Sequence, residues 1–387
     1  MSGISRRDVL RLGGLGVAGL VSVDLLAGCG GGSKPGAQTS ASSLTPFRAD
    51  TTAGRSTGLA DRVAWASTAD SEFFLALGRG MHEAAGDRGV QYVTATSGND
   101  PGRHARQMSD FITSGVGSMA MQPLNADADT PVLQQGISKG VCVQGIITAP
   151  SIMQVAASQR QIGFDQGKAA ADYAVKHLGG EAKVIYFNLD TVSPALRERH
   201  AGVLAGLATG GAGIEVVGDL TVADISTTSG FNTMMSALQA HRDIKIVLGG
   251  DTIVVGAYRA LKSSGKLRDD MFLSGVDGDR QALDLVRQEG PYRLSIAFAW
   301  RLMGYGLGQY GADWIAGKQV PRVVVAKGIP LASRAAVDTF EAANADPAAA
   351  FAKRSVFEKY LPLLGNVSYN DRGTYWTEAV APPKSVL

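Results

Sequence analysis

The sequence predicts an α/β protein made of two doubly wound lobes, each a parallel sheet covered by helices. Three observations carry this expectation. Short apolar runs alternate with helically spaced apolar stripes from about residue 61 onward, the order that builds a parallel sheet with crossover helices. The series restarts near residue 160, so there are two such units. Runs such as Val184-Ile185-Tyr186-Phe187 are apolar without alternation, as strands buried on both faces are. A chain of 387 residues is long enough for two domains of ordinary size.

The chain opens with Arg6, Arg7 and Arg11, and Asp24 is the single charge from Leu12 to Leu26. That is a charged region and then an apolar region of export-signal length, too short for a permanent membrane span. Ser5-Arg6-Arg7-Asp8-Val9-Leu10-Arg11 resembles a twin-arginine signal, with Val9 where Phe or Leu is commoner; the general secretory route stays open. Leu26-Ala27-Gly28-Cys29 resembles a bacterial lipobox. The resemblance implies that residues 1–28 are an export signal and that Cys29 is lipidated. It places the remainder outside the cytoplasm, at the outer face of the cytoplasmic membrane or in the periplasm. Gly14 to Gly19 matches G-x-G-x-x-G, but no strand precedes it and the segment is expected to be cleaved, so no dinucleotide cofactor is expected. Residues 29–58, rich in Gly, Ser, Thr and Ala, predict a flexible tether.

The first lobe begins with a strand at Val63–Ala66 and a helix whose stripe is Phe74, Leu77, Met81 and Ala84. A strand at Val90–Ala95, a helix at Pro101–Ser114, a strand at Ser118–Met121, a helix near Val132–Ser138 and a strand at Val141–Val143 follow. In the second lobe a helix at Gly167–Leu178 precedes the strand at Val184–Phe187. Helices are expected at Ala195–Leu207, Phe231–His241, Ile253–Leu261 and Gln281–Arg287, and strands at Ile214–Val217, Ile244–Leu248, Met271–Leu273 and Leu294–Phe298. A helix with Met303, Leu307, Tyr310 and Trp314 on one stripe leads to a last strand, Val323–Val325. Ligands of open parallel sheets sit beyond the carboxyl ends of the strands, so two facing lobes predict a shared cleft.

From about Asp61 to Val325, some 260 residues, the chain resembles the sugar-type periplasmic binding proteins, the type I, ribose-binding-like receptors of ABC importers, and five segments in order carry the resemblance. These are Glu72-Phe73-Phe74, Ile162 to Gly167, Arg199-His200-Ala201-Gly202-Val203, Gly250-Asp251 with Gly256-Ala257, and Gly275-Val276-Asp277-Gly278. The resemblance implies a hinge of three crossings, near residues 158, 298 and 319. One lobe would hold residues 59–158 and 299–318, the other residues 159–298 and 320–330. Residues 331–387 remain as a C-terminal extension, read as padding of one lobe or as a partner contact.

The resemblance also implies pocket residues. Phe73 and Phe74 offer aromatic faces to the C–H face of a sugar or polyol, Phe74 being equally readable as core. Arg199 offers a rigid fork of donors for paired hydroxyls, or a surface ion pair with Glu198. Asp277 offers a carboxylate acceptor, or a helix N-cap; Asp251 stands between the same alternatives. The chain departs from the family pattern in three places. Gly250 stands where Asn is common, the Gly145-Ile146-Ile147 run where a carboxylate is common, and Phe298, near Trp300, where Asn or Gln is usual. A buried hydroxyl left unpaired costs on the order of 1–3 kcal/mol. The expected ligand is therefore a small sugar or polyol stacked on Phe73, Phe298 or Trp300 and clamped by Arg199 and Asp277, with Ser71, Ser193 and Gln144 as further polar contacts. A nucleoside-binding or signalling lipoprotein of the same fold is the alternative.

Composition narrows the partners. Without residues 1–28 the chain loses Arg6, Arg7, Arg11, Asp8 and Asp24 from 37 basic and 35 acidic residues, leaving a net charge near +1. That argues against a nucleic-acid partner. With Cys29 lipidated, Cys142 is alone and no intramolecular disulfide can form. Neither hydrolase, Walker nor zinc-ligand motifs occur, so neither an enzyme nor a metal or other cofactor is expected. The expected partners are the small ligand, ABC permease subunits and, through the lipid, a membrane.

Overall fold

The computed structural model describes residues 44–49 and 58–387, apart from 148, 192, 193, 223 and 379. The expected signal, Cys29 and Ser193 lie outside the described residues.

The first lobe runs β1 (Ala60–Ser67), α1 (Glu72–Arg88), β2 (Gln91–Thr96), α2 (Pro101–Thr113), β3 (Val116–Met121), α3 (Ala126–Ser138), β4 (Cys142–Ile146) and β5 (Met153–Ala156). The second runs α4 (Gln159–His177), β6 (Ala182–Asn188), α5 (Pro194–Ala208), β7 (Ile214–Thr221), α6 (Thr227–Ala240), β8 (Ile244–Leu248), α7 (Asp251–Ser263), β9 (Phe272–Asp277), α8 (Arg280–Arg287) and β10 (Tyr292–Ala297). Then α9 (Trp300–Ile315) and β11 (Val320–Val325) return to the first lobe, and β12 (Ile329–Leu331) to the second. The chain ends with α10 (Arg334–Asn344), α11 (Pro347–Ala352), α12 (Arg354–Tyr360), β13 (Leu363–Val367) and two short 3-10 turns.

The first sheet has the order β13-β11-β5-β4-β3-β1-β2 and the second β12-β10-β9-β8-β6-β7. All pairings are parallel except β13 on β11 and β12 on β10, so each sheet carries one antiparallel edge strand. β3 and β4 are buried along their whole length, as layers covered on both faces must be.

Local chemistry sets the helix starts. Asp100 accepts from the N–H of Arg103 ahead of Pro101, which opens α2; Asn125, Ser226 and Ser333 cap α3, α6 and α10 the same way. The packing of α4 on α5 depends on small residues. A Cβ on Gly163 would stand 2.0 Å from the carbonyl oxygen of Arg199, and one on Gly202 2.1 Å from that of Arg160. Glycine lets the two backbones touch, and this contact fixes where Arg199 projects.

Three differences from the sequence reading stand out. β11 pairs with β5 in the first sheet, so only the three residues of β12 make the expected return to the second lobe. Part of the expected tether is docked: Phe47 is 3% exposed, its N–H donates to the carbonyl of Leu363, and Pro46 bridges Leu364. Phe47 is the one large aromatic in that polar stretch, which gives it something to bury. Finally, the C-terminal extension crosses from β12 back to β13, a fourth passage between lobes where three were expected.

Candidate functional site

The site assembles where the carboxyl ends of β1, β9 and β10 come together. Asp277, the last residue of β9, has a φ of +121°, a backbone region that strains any residue but glycine. Gly278 follows with a φ of +79°. Asp251 holds this turn from beneath. Its Oδ2 accepts from the N–H groups of Gly278 (2.7 Å) and Asp279 (3.0 Å) and from the Ser295 hydroxyl (2.6 Å). Its Oδ1 accepts from the Tyr292 hydroxyl at 2.7 Å. Asp251 is fully buried, and its oxygens are engaged by four donors. It organises the turn that presents Asp277 rather than facing a ligand; Asp279, not Asp277, stands at the N-cap position of α8, and its side chain makes no cap bond there.

The electrostatics of this corner are crowded. Burial pushes the Asp277 carboxyl up to about 7; Arg199 opposes the shift and Asp279 adds to it. Burial, reinforced by Asp279, pushes Asp251 up to about 7 against its hydrogen bonds to Ser295 and Tyr292. Asp279 is raised too, by burial and by Glu72 across the cleft, while its side chain accepts from the Thr252 hydroxyl. The cation among them is Arg199, 8% exposed, whose Nε donates to Gln159 Oε1 at 2.8 Å. Its Nη1 stands 3.9 Å from Asp277 Oδ1. Gln159 is the first residue of α4, directly after the first hinge crossing, so the hinge segment orients the guanidinium.

Rings face these charges. Trp300 opens α9; its centroid lies 4.5 Å from that of Phe73 and 4.5 Å from that of Phe298. Phe73 contacts Phe74 at 4.4 Å, and Phe74 in turn lies 6.2 Å from Trp65. Phe74 is 9% exposed and belongs to the core, while Phe73 is half-buried at the cleft. The Trp300 Nε1–H donates to the carbonyl of Asp277 at 2.7 Å, so one side chain joins the ring cluster to the acidic turn. Nearby the N–H of Arg280 donates to Glu72 at 3.3 Å, a direct contact between α8 and α1.

Ser71 is exposed and its hydroxyl caps no backbone group, so it is available at the lip. Gln144 is not at the cleft: it is fully buried and its Nε2 donates to the carbonyl of Leu307, which ties β4 to α9. A middle-of-strand residue two positions before the end of β4 points into the sheet's helix layer, and that parity could have been read from the strand pattern. Ile147 keeps an apolar wall with a φ of +73°. His200, next to Arg199, is held between Asp190 and Asp219 at 2.8 Å each. Glu72, Gln159 and Asp279 were missed. Each lies within two residues of a recognised mark or hinge, and that adjacency was the available signal.

A profile of the periplasmic binding protein domain matches residues 63–319. The chain belongs to this family. The ribose import binding protein RbsB of Bacillus subtilis (strain 168) is 27% identical to this binding protein over 270 residues, covering 67% of this chain and 83% of RbsB. Among solved structures, a twin-arginine translocation pathway signal protein from Burkholderia phytofirmans superposes with a TM-score of 0.66 at 18% identity, covering 80% of this chain and 98% of that one. An ABC transporter solute binding protein from Bacillus halodurans C-125 with bound myo-inositol gives 0.62 at 19% identity, covering 74% and 98%. The binding protein is thus of the type I, sugar-binding class of ABC importers, a family of transport receptors and not of enzymes. Members of this family work outside the cytoplasm.

Proposed function

We propose that this protein is a lipid-anchored extracytoplasmic receptor that binds a small sugar or polyol between its lobes and delivers it to the permease subunits of an ABC importer. The observation that carries this reading is the meeting of Arg199 and Asp277 with the ring cluster of Phe73, Trp300 and Phe298, joined by the bond from Trp300 Nε1–H to the carbonyl of Asp277. A polyhydroxyl compound has both faces such a site needs. Its hydroxyls can accept from a guanidinium and donate to a carboxylate, and its C–H face can pack on rings. Several acids surround one cation here, which disfavours an anionic ligand. Gly250, Ile147 and Phe298 offer no side-chain hydrogen bond, which supports a ligand with few hydroxyls to satisfy. Ser71 remains as a polar contact at the rim, with Ser193, outside the described residues, as a further candidate contact. The anchor would be Cys29, with residues up to about 43 as tether.

A thermal-shift panel of pentoses, hexoses, polyols and nucleosides on the chain from residue 30 onward tests the ligand class, since binding to the folded state raises Tm by mass action. A rise with a sugar or polyol is expected. A rise with nucleosides alone overturns the reading in favour of a nucleoside receptor. For the anchor, Cys29→Ser should move the full chain from the membrane to the soluble fraction; an unchanged membrane fraction removes the lipid from the proposal.

A further inference from the structure

The C-terminal extension has one foot on each lobe. On the second lobe, β12 pairs with β10 and α10 lies along α8. There Arg287 of α8 is held by Asp338 at 2.8 Å and by Glu341, both on α10. The backbone N–H of Arg334 adds a bond to Glu289. On the first lobe, Phe351 of α11 meets Tyr305 and Tyr310 of α9 edge to face, at 5.7 and 5.5 Å. Phe357 of α12 is 2% exposed and covers Gly306 of α9 so closely that a Cβ there would lie 2.7 Å from its ring. β13 then extends the first sheet through β11. Between the feet, Arg301 at the start of α9 donates to the carbonyl of Ala345, and Phe340 of α10 meets Tyr360 of α12 edge to face at 5.8 Å.

The same segment lies against the hinge. The carbonyl of Tyr360 accepts from the N–H of Lys327 at 3.1 Å, and that of Pro362 from Val325 at 2.8 Å. Tyr360 and Leu361 lie beside Phe298, Trp300 and Lys327, the residues of two hinge crossings. Any rotation that parts the lobes must carry α10 with α8 while α11, α12 and β13 stay with α9 and β11. It must therefore bend the joint at residues 344–346 or detach a foot.

We infer that residues 329–387 are a brace across the hinge, whose α10–α8 foot holds the lobes toward the closed arrangement and so sets how far the ligand-free cleft opens. This rests on the reading of the protein as a receptor that closes on its ligand, but its test needs no ligand. The two feet differ in kind. The first-lobe foot is packed aromatic surface and a strand pair, and it is built to stay. The second-lobe foot has the short β12–β10 pair and buried Val337 as well, but α10 is tied to α8 by partly exposed ion pairs, Asp338 and Glu341 being 55% and 44% exposed, which salt screens and which can loosen.

The experiment places spin labels on Ala126→Cys and Asp224→Cys, exposed positions just beyond the carboxyl ends of β3 and β7, in the full chain carrying Cys29→Ser. Cys142 is fully buried and stays unlabelled. Without ligand, Asp338→Asn combined with Glu341→Gln should shift the interlobe distance distribution toward longer values, with a roughly threefold gain in the open population, about what two exposed ion pairs can supply. Raising the salt should do the same to the parent chain. Asp284→Asn removes a third ion pair of Arg287, within α8 itself, and should leave the distribution alone. An unchanged distribution in the double variant, or an equal shift in Asp284→Asn, overturns the brace. Either result leaves the ligand panel to decide the receptor reading on its own.

Discussion

The site has two sides of unlike make: rings from the start of α1 and the hinge, and ionisable groups from the second lobe. The rings are Phe73 at the start of α1, backed by the core residue Phe74, with Phe298 and Trp300 at the hinge, and they are held by one another. The ionisable groups are Arg199, Asp277 and Asp279; Gln159 holds Arg199, Thr252 holds Asp279, and Asp251, itself fixed by Tyr292 and Ser295, holds the turn after Asp277. The difference teaches how each side fails. A packed ring cluster loses contact area when altered and can readjust. A buried charge that loses its partner is left desolvated, and that cost is larger.

Arg199→Ala should therefore have the largest effect. Charge-assisted hydrogen bonds contribute about 1.5–3 kcal/mol each, so affinity for the best compound of the thermal-shift panel should fall by roughly 100-fold or more in calorimetry. Phe73→Ala should weaken the same compound by roughly 10-fold. A larger loss for Phe73→Ala reverses the comparison and makes the rings the main source of affinity.

Gly163→Ala comes next, because it attacks the framework that aims Arg199. A Cβ 2.0 Å from the Arg199 carbonyl oxygen forces α4 from α5, and overpacking of this kind costs about 1–3 kcal/mol. Tm should fall and ligand affinity should weaken with it. A lower Tm with unchanged affinity would mean that the helix contact stabilises the lobe without orienting the guanidinium.

The two sides also differ in how readable they were. The ring side lies in neighbouring residues, Glu72-Phe73-Phe74 and Phe298 to Trp300, so a short window contains most of it. The alternation that predicts the fold is likewise local, and strands such as β6 and β8 declare themselves by uninterrupted apolar runs. The ionisable side was legible only at its tips, Arg199 and Asp277. The role of Asp251 is set by donors up to 44 residues away, and no window shows that four of them converge on one carboxylate. β5 was missed because Met-Gln-Val-Ala is short and carries neither alternation nor a long apolar run. Phe47 and the α10 foot were missed for the same reason as Asp251: their partners, Leu363 and Arg287, are remote in sequence.

Asp251 separates the sides by pH. In the folded chain its carboxyl is pushed up to about 7, far above the ordinary aspartate value near 4. The folded protein therefore holds a proton that the unfolded chain has already released, and stability falls as pH rises from about 4 through about 7. The slope can reach about 1.4 kcal/mol per pH unit for one such group. Asp251→Asn should flatten that slope in chemical denaturation between pH 5 and 8. Asparagine keeps an oxygen for the N–H groups of Gly278 and Asp279 and can donate to the Tyr292 hydroxyl. A ring substitution such as Phe73→Ala should leave the slope intact. If Asp251→Asn keeps the full slope, Asp277 and Asp279 carry it instead, and the turn is governed from the cleft rather than from beneath.

Trp300 gives the smallest expected effect and the sharpest division, because it belongs to both sides. Its ring lies between Phe73 and Phe298, and its Nε1–H holds the carbonyl of Asp277 in a strained turn. Trp300→Phe keeps most of the ring and deletes that single bond, whose net contribution is about 0.5–1.5 kcal/mol. Asp277 should then relax from its left-handed conformation and drift from Arg199, weakening the panel's best compound by roughly 2- to 10-fold. Trp300→Ala removes the ring as well and should cost more. If Trp300→Phe binds like the parent and only Trp300→Ala is weakened, Trp300 is a ring-side residue and the acidic turn supports itself through Asp251. If the two variants lose affinity equally, the indole acts through its N–H alone, and the ionisable side governs the cleft up to the hinge.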